Sequence, residues 1–317
     1  MPPGIFALVL FVAVLHVVWN AVLKSSGDPL RTAERAVGVS VVVFAPVFLA
    51  IWWLNGRPGI PPDAAALGVV SGLLETAYFV CLAAAYRRGD LSVVYPIARG
   101  TAPLLSVAFG VALLGERLGP ASTVGVVALL AGILIVQQPW RILGVVARAG
   151  RRMGTAASGA VENSPVGRDL AGAAEFAMLT GLMIASYSAV DRVAARLVAP
   201  WLYAAVIFPI CALTLVAWVR LVADRRRRPG DPPPTPASWR RAGAAGVISL
   251  GAYSLVLVAY TLAPLSAVAP LRESAVVIAS AWGAIRMGEA AGLSERARRI
   301  GGACLVLIGA VLLALEG

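Results

Sequence analysis

Charged residues are scarce in this chain, and their scarcity excludes most soluble folds. Only 14% of the 317 residues are Asp, Glu, Lys or Arg, against about 25% in soluble domains. The chain has one histidine and one lysine, while 59% of its residues are hydrophobic. A soluble protein has no interior large enough to hide that much apolar surface. The composition therefore predicts an all-α polytopic membrane protein.

The motifs of nucleotide-driven pumps and of metalloenzymes are missing as well. There is no GxxxxGK[ST], HExxH or GxSxG pattern and no cluster of cysteine with histidine. The three cysteines, Cys81, Cys211 and Cys304, each lie in an apolar run, where a free thiol acts as a small hydrophobe. The sequence therefore predicts no cofactor and no metal, and any transport would be driven by a gradient.

A net charge of +11 would suggest nucleic acid in a soluble protein, but here the basic residues lie in loops between apolar runs. No basic groove or recognised nucleic-acid-binding domain accompanies them. Lipid headgroups and membrane topology account for the charge better. The expected partners are therefore a lipid bilayer and a small-molecule substrate, with no nucleic acid, and the chain is expected to be a monomer or a homodimer.

Ten apolar runs are present, each near the ~20 residues that a helix needs to cross a bilayer. They are 5–23, 36–54, 64–86, 91–114, 121–138, 170–190, 200–222, 242–262, 265–285 and 299–316. The first lacks the basic start and cleavage site of a signal peptide, so we take it as a permanent span. A basic stretch follows the fifth run, with a predicted interfacial helix and then a Gly/Ala/Ser-rich segment. It divides the chain into a first repeat, 1–140, a linker, 141–168, and a second repeat, 169–317.

The second half repeats features of the first about 174 residues later, as in transporters built from internal repeats. The matched pairs are Tyr86 with Tyr260, Ser92 with Ser266, Pro96 with Pro270 and, shifted by one residue, Arg99 with Arg272 and Glu116 with Glu289. Because five spans is an odd number, the second half must be inverted relative to the first. The predicted fold is ten transmembrane helices in two inverted five-helix repeats.

The distribution of basic residues predicts the orientation of the chain. Four Lys or Arg lie on the side that holds both termini and 21 on the other, while Arg99 and Arg272 lie inside spans. The basic side is expected to be cytoplasmic, so both termini should face outward. The expected location is the cell inner membrane.

The fourth run carries Pro96, Arg99 and Pro103 inside a spanning helix. Prolines remove backbone donors and are expected to kink or open the helix. Arginine at this depth needs a water-filled cavity or a partner charge. A broken helix with charge at mid-membrane indicates a transport site.

Arg99 and Arg272 are candidates to hold an anionic group of a substrate, since guanidinium matches carboxylate and phosphate. The alternative is a structural ion pair, Arg99 with Glu75 or Arg272 with Glu273.

Glu75 is the strongest single candidate for a functional residue, because no other charged residue lies within ten positions on either side. One interpretation is a titratable carboxylate that binds a proton or a cationic group and couples transport to protons. The other is a permanent ion pair with Arg99 or Arg272 that holds the bundle together.

Polar and aromatic residues recur at helical spacing in other spans, and such a face should point into the bundle. His16 either exchanges a proton or forms a hydrogen bond at a helix contact. Asn20 either binds substrate or links helices. The other candidates for lining a cavity are Trp19, Tyr78, Tyr95, Glu175, Tyr187, Tyr253 and Glu273.

Several residues are assigned structural roles instead. Asp191 follows the sixth span and is expected to be solvated at its end. Glu116 and Glu289 each close a span in a Gly-Glu turn and are expected to support that turn. Glycines of the fifth and tenth spans, such as Gly132, are spaced for close helix packing.

Residues 83–136 resemble the EamA domain, which defines ten-helix carriers of the drug/metabolite transporter superfamily. The resemblance rests on Tyr86-Arg-Arg-Gly89-Asp90-Leu-Ser92, Tyr95-Pro96-Ile-Ala-Arg99-Gly, Gly115-Glu116-Arg and Ala131-Gly132, with Trp19-Asn20 and Ala-Pro270-Leu-Arg272-Glu273 similar to the same family. It implies two EamA repeats, alternating access, and a central cavity lined mainly by spans 1, 3, 4, 6, 8 and 9. Such carriers commonly move amino acids, nucleotide-like metabolites or drugs, often outward.

These features predict a secondary active transporter, more an exporter than an importer, for a small polar or charged organic metabolite. The two arginines favour a substrate with an anionic group. A membrane-embedded enzyme would need clustered carboxylates or histidines, so no enzyme is predicted. A channel-like pore and a non-transporting membrane scaffold are the alternatives that remain.

Overall fold

The computed structural model describes residues 3–89, 91–140, 144, 165–226, 233–286 and 293–315, and these are helical with no strand among them. The long helices of this part are α1 (Pro3–Lys24), α2 (Pro29–Leu54), α3 (Pro62–Arg88), α4 (Leu91–Ala112), α5 (Pro120–Gln137), α6 (Pro165–Ala194), α7 (Pro200–Trp218), α8 (Trp239–Leu262), α9 (Leu265–Arg286) and α10 (Leu293–Leu315). One π-helical turn, Val219–Ala223, extends α7. The ten predicted helices are confirmed. The predicted interfacial helix of the linker lies outside the described residues.

Proline sets where several helices start. In α2, α3, α5 and α7, for example, the first turn holds a proline, whose missing N–H has no partner to lose there. Inside α4, however, the helix runs unbroken from Leu91 to Ala112 through Pro96 and Pro103. Of the two expected effects, a kink or an opening of the helix, the opening is therefore wrong. Each proline removes only one backbone donor, and the hydrogen bonds on either side keep the helix continuous.

Seven helices of the described chain, α2 to α8, are long and apolar enough to cross a membrane. An apolar run in α1, Gly4–His16, adds to them. Large apolar side chains point outward from the bundle, as on Val42 (73% exposed), Leu54 (82%) and Leu213 (68%). In water this surface would be unfavourable, whereas in lipid it needs no partner. The chain is a multi-pass membrane protein.

The helices pack mostly across the boundary between the repeats. The first repeat's α3 lies against α6 and α7, and the second repeat's α8 lies against α1 and α2. Likewise, α4 contacts α6 and α9, while α9 contacts α1 and α4. Exchanging each helix for its equivalent five places along leaves this pattern unchanged. The packing therefore has the pseudo-twofold symmetry expected of two five-helix repeats.

Glycines let the backbones touch where α5 crosses α10. A Cβ on Gly132 would lie 2.6 Å from the carbonyl oxygen of Gly302, and one on Gly125 would lie 2.9 Å from that of Gly309. The contacts are reciprocal, since a Cβ on Gly302 would also lie 3.0 Å from the Gly132 oxygen. The predicted packing role of these glycines is confirmed.

A second pair of glycine crossings brings the inner helices together. On α3, a Cβ on Gly72 would lie 2.9 Å from the carbonyl oxygen of Ile207 on α7. On α8, a Cβ on Gly246 would collide with the carbonyl oxygen of Ala36 on α2. These equivalent crossings position the middles of α3 and α8 on opposite sides of the space between the repeats.

Candidate functional site

A cavity lies between the repeats, at the middle of the bundle. Its volume is about 50 Å³, enough for a few waters, since one water needs about 10–15 Å³ on this measure. Helices α1, α2, α3, α6, α7 and α8 line it. The expected lining by spans 4 and 9 is not seen, because α4 and α9 pack against each other beside the cavity. The predicted site residues that border it are His16, Trp19, Glu75, Tyr78, Tyr187 and Tyr253.

Aromatic rings from five helices form a continuous wall of this cavity. Trp19 of α1 meets Phe79 of α3 edge to face, with the ring centroids 6.2 Å apart. From Phe79 the contacts continue through Tyr78, Tyr187, Tyr253 and Phe208, with neighbouring centroids 4.8–6.2 Å apart. Aromatic faces are electronegative and attract cations. Sequence reasoning missed Phe79 and Phe208, because a phenylalanine in an apolar run has no polar group to distinguish it from residues that only pack.

Glu75 is the acidic side chain of the cavity. It is 8% exposed, at the centre of α3. Its carboxylate is in contact with the thiol of Cys211. Among the described residues no Lys, Arg or His nitrogen lies within 4.0 Å of it. The alternative of a permanent ion pair with Arg99 or Arg272 is therefore wrong, and a carboxylate without a fixed counter-ion faces the cavity.

The two buried arginines belong to a separate charged cluster between α4 and α9. One terminal nitrogen of Arg99, Nη1, donates to both carboxylate oxygens of Glu273, at 2.9 Å each. The Nε of Arg272 lies 3.5 Å from Oε1 of the same carboxylate. None of the three residues is more than 5% exposed, and none borders the cavity. The expected Arg272–Glu273 contact is present, but Arg99 pairs with Glu273 rather than with Glu75.

The remaining predicted residues lie elsewhere. Tyr95 lies beside Arg99, whose guanidinium carbon is 5.8 Å from the ring centroid. Glu175 does not join the cavity: it is exposed on α6, because the opposite face of that turn, with Ala174 and Ala177, packs into the bundle. Asn20 lies on α1, and its side chain is outside the described residues.

Asp191 was expected at a solvated helix end, and this expectation is wrong. Asp191 is fully buried, at 0% exposed. Oδ1 accepts a hydrogen bond of 2.9 Å from the hydroxyl of Tyr203, and Oδ2 accepts one from the hydroxyl of Tyr253. Because α6 continues to Ala194, Asp191 lies within the helix and behind the cavity wall that Tyr253 forms. Its charged neighbour Arg192 gave the misleading signal of a helix end.

Glu116 connects the repeats on the side that holds the termini. One carboxylate oxygen accepts hydrogen bonds from the Leu265 N–H at 2.7 Å and the Arg192 Nε at 3.2 Å. The other accepts from the N–H and the hydroxyl of Ser266, at 2.9 and 2.7 Å. The carboxylate thus caps the start of α9, so its role is structural as predicted, but it supports a helix of the other repeat rather than its own turn. The bonds cross between the repeats, and the equivalent Glu289 lies outside the described residues.

Comparison with known proteins agrees with this architecture. The EamA-like transporter family matches residues 3–137 and 173–315, one segment in each repeat. A solved crystal structure aligns over 100% of both chains with a TM-score of 0.67 and 18% identity, a likeness of fold alone.

Shorter matches come from two curated relatives, the spermidine export proteins MdtI of Salmonella paratyphi B and Salmonella newport. Each is 37% identical over 70 residues, which is 22% of this chain. The match spans 64% of the length of these relatives. Since the family match covers both repeats and nearly all ten helices, the chain belongs to the EamA-like transporter family.

Proposed function

We propose that this protein is a gradient-driven transporter that exports a small organic cation across the cell inner membrane by alternating access. The observation that carries the proposal is the cavity between the repeats, where Glu75 faces an aromatic wall and no described Lys, Arg or His nitrogen lies within 4.0 Å of it. A buried carboxylate in that setting is unfavourable unless a proton or a cation neutralises it. An organic amine would satisfy the carboxylate and lie against the rings at the same time.

The arginines argue against the anionic substrate that the sequence favoured. Arg99 is engaged by Glu273, and neither Arg99 nor Arg272 borders the cavity. The spermidine exporters that match part of the chain are named for an amine that is cationic at neutral pH. Both observations favour a positively charged substrate.

The small cavity supports a mechanism in which the repeats move. About 50 Å³ is far below the roughly 300–1,000 Å³ of a site for a drug-sized ligand. A substrate would therefore enter only when the repeats separate on one side. In inverted-repeat carriers the two halves rock around a fixed central site. Glu75 would then carry either the substrate or a proton, which couples export to the proton gradient.

Transport by purified protein in proteoliposomes tests this proposal. We expect an outwardly directed flux of spermidine or phenethylamine driven by a pH gradient, and no flux of glutamate. Glu75→Gln should reduce amine flux by about tenfold to a hundredfold, since hydrogen bonds to charged groups contribute roughly 1.5–3 kcal/mol.

Glu175→Gln is the matched control, because it makes the same chemical change at an exposed site. It should transport amines at the wild-type rate. The proposal is wrong if glutamate moves and amines do not, or if Glu75→Gln leaves both the amine flux and its pH dependence unchanged.

A further inference from the structure

We propose that Asp191 is a second proton-binding site, linked to the cavity through Tyr253, and that Asp191 and Glu75 share one exchangeable positive charge. This inference rests on the proposed function for its role in transport, whereas the proton site itself is defined by geometry. Tyr253 is the connecting element: its ring lines the cavity, while its hydroxyl donates to Asp191 Oδ2.

The charges of the buried core do not balance without an added cation. Among the described residues, the charged side chains classed as buried are Glu75, Arg99, Asp191, Arg272 and Glu273. Arginine stays protonated in proteins, so three carboxylates face two fixed positive charges, with His16 counted as neutral. One carboxylate must therefore hold a proton or lie beside a bound cation, because an uncompensated buried charge is strongly unfavourable.

The surplus negative charge falls on Glu75 and Asp191. Glu273 lies between Arg99 and Arg272, so this cluster carries one net positive charge to balance the other two carboxylates. Within the described chain no Lys, Arg or His nitrogen lies within 4.0 Å of either Glu75 or Asp191. The Nε and Nη1 of Arg272 have no hydrogen-bond partner there. The cluster is therefore a shared counter-charge at a distance, and it selects neither carboxylate.

Groups on four neighbouring helices act on Asp191. These groups are Glu75 from α3, Tyr203 from α7, Tyr253 and Tyr260 from α8, and Arg272 from α9. The direct contacts of its carboxylate are neutral hydroxyls, so no salt bridge fixes it in the ionised form. Asp191 can take up a proton with only a reorientation of the tyrosine hydroxyls.

The proton transfer through Tyr253 is balanced. The tyrosine gives its hydroxyl proton to Asp191 Oδ2, and its oxygen accepts a proton from a donor in the cavity, either a hydrated proton or protonated Glu75. One proton enters the Asp191 site, one leaves the cavity, and Tyr253 ends unchanged. A cation that binds at Glu75 makes the proton on Asp191 surplus, so binding of substrate releases it. Without substrate the proton stays on one of the two carboxylates.

Infrared difference spectra of the purified protein, recorded between acid and alkaline pH, test the site without any substrate. The wild type should show a protonated-carboxyl band that Asp191→Asn removes or that Tyr253→Phe shifts to another pH. Tyr203→Phe is the matched control, because it removes a hydroxyl from the same carboxylate but does not border the cavity. It should keep the band, at a pH changed by the lost donor, but should leave the proton path to the cavity intact.

Transport measurements then test the role in coupling. In proteoliposomes, Asp191→Asn should retain amine-for-amine exchange at equal pH but lose about tenfold or more of the flux driven by a pH gradient, a coupling within the range of linked binding sites. Tyr253→Phe should slow the driven flux more than Tyr203→Phe does.

The outcomes separate the two proposals. If the infrared band survives in Asp191→Asn, the proton site is refuted. Equal effects of Tyr203→Phe and Tyr253→Phe on exchange and driven flux, with lower melting temperatures, would mean that Asp191 only fastens α6, α7 and α8. If the wild type moves no amine but the band depends on Asp191, the proton site stands and the proposed substrate fails.

Discussion

The two repeats share a frame of helices but carry different charges on it. Arg99 and Glu273, which pair at 2.9 Å, are 174 residues apart, the same offset that relates Tyr86 to Tyr260. Without the one-residue shift that matched Arg99 with Arg272, they therefore occupy equivalent positions, which the symmetry of the fold brings together. An identical charged residue at both positions would place like charges in contact in a dry interior. The two repeats carry opposite charges at this position, so the contact is an ion pair.

The acidic groups near the cavity differ between the repeats in the same way. Glu75 in the first repeat corresponds at that offset to Ser249 in the second, and both border the cavity. Trp19-Asn20 near the end of the first span lines up with Tyr187-Ser188 near the end of the sixth, so Asp191 in the second repeat corresponds to Leu23 in the first. Each repeat thus supplies one acidic residue that the other lacks. Symmetry builds the cavity, and asymmetry decides what charge it attracts.

The largest expected effect comes from reversing one charge of the Arg99–Glu273 pair, because this removes the opposite charges by which the two repeats differ at that position. In Arg99→Glu, two carboxylates would face each other in a site that is at most 5% exposed. We expect a loss of about 3–5 kcal/mol in the free energy of unfolding, as when one partner of a buried pair is removed. Thermal unfolding of purified protein in detergent measures it.

The double reversal, Arg99→Glu with Glu273→Arg, restores opposite charges at the equivalent positions. It should recover most of the lost stability. A double variant no more stable than either single variant would show that the two repeats are not interchangeable at this contact.

Adding a methyl group at the α5–α10 crossing should have a smaller effect. Gly132→Ala pushes a Cβ against the carbonyl oxygen of Gly302 and should lower the free energy of unfolding by about 1–3 kcal/mol through overpacking. Gly302→Ala should lower it by a similar amount, because the contact is reciprocal. Gly301→Ala is the control: nothing lies within 4 Å of its added Cβ, so it should be neutral or slightly stabilising. Equal losses in all three variants would contradict the symmetric crossing.

The smallest expected effect on stability comes from a serine at the start of a helix, which can be compared with its equivalent in the other repeat. Ser266→Ala removes the hydroxyl that donates to Glu116 at 2.7 Å, and the expected loss of stability is about 0.5–1.5 kcal/mol. The side chain of Ser92, the equivalent residue, is outside the described part of α4. If the frame is symmetric, Ser92→Ala should cause a loss of the same size. If Ser92→Ala is neutral while Ser266→Ala is destabilising, then this hydroxyl–carboxylate hydrogen bond stabilises the helix start in the second repeat only.

The sequence predicted the frame well, because long apolar runs and the repeat offset determine it directly. The ten helices, their division into two inverted repeats and the glycine crossing of α5 with α10 all followed from hydropathy and spacing. Glu75 and five other cavity residues were also found, since polar and aromatic side chains in apolar runs are conspicuous.

What the sequence could not supply is the rotation of each helix and the partner of each charge. Hydropathy locates Glu175 within a span, but only packing shows that α6 turns it outward. Arg99 was paired with the wrong carboxylate, because its true partner is distant in sequence and close only through the pseudo-twofold symmetry. Asp191 was missed because a charge pair next to a loop resembles a solvated helix end, whereas the helix continues for three more residues.

The backbone contact between α5 and α10 has a consequence for how such a carrier can diversify. Neither helix supplies a side chain to the cavity. The α5–α10 contact that joins the repeats and the cavity surface that would meet a substrate are therefore built from different residues. New substrate preferences can therefore arise by substituting aromatic residues such as Phe79 or Phe208, while membrane insertion and assembly of the helices continue to depend on an unchanged α5–α10 contact.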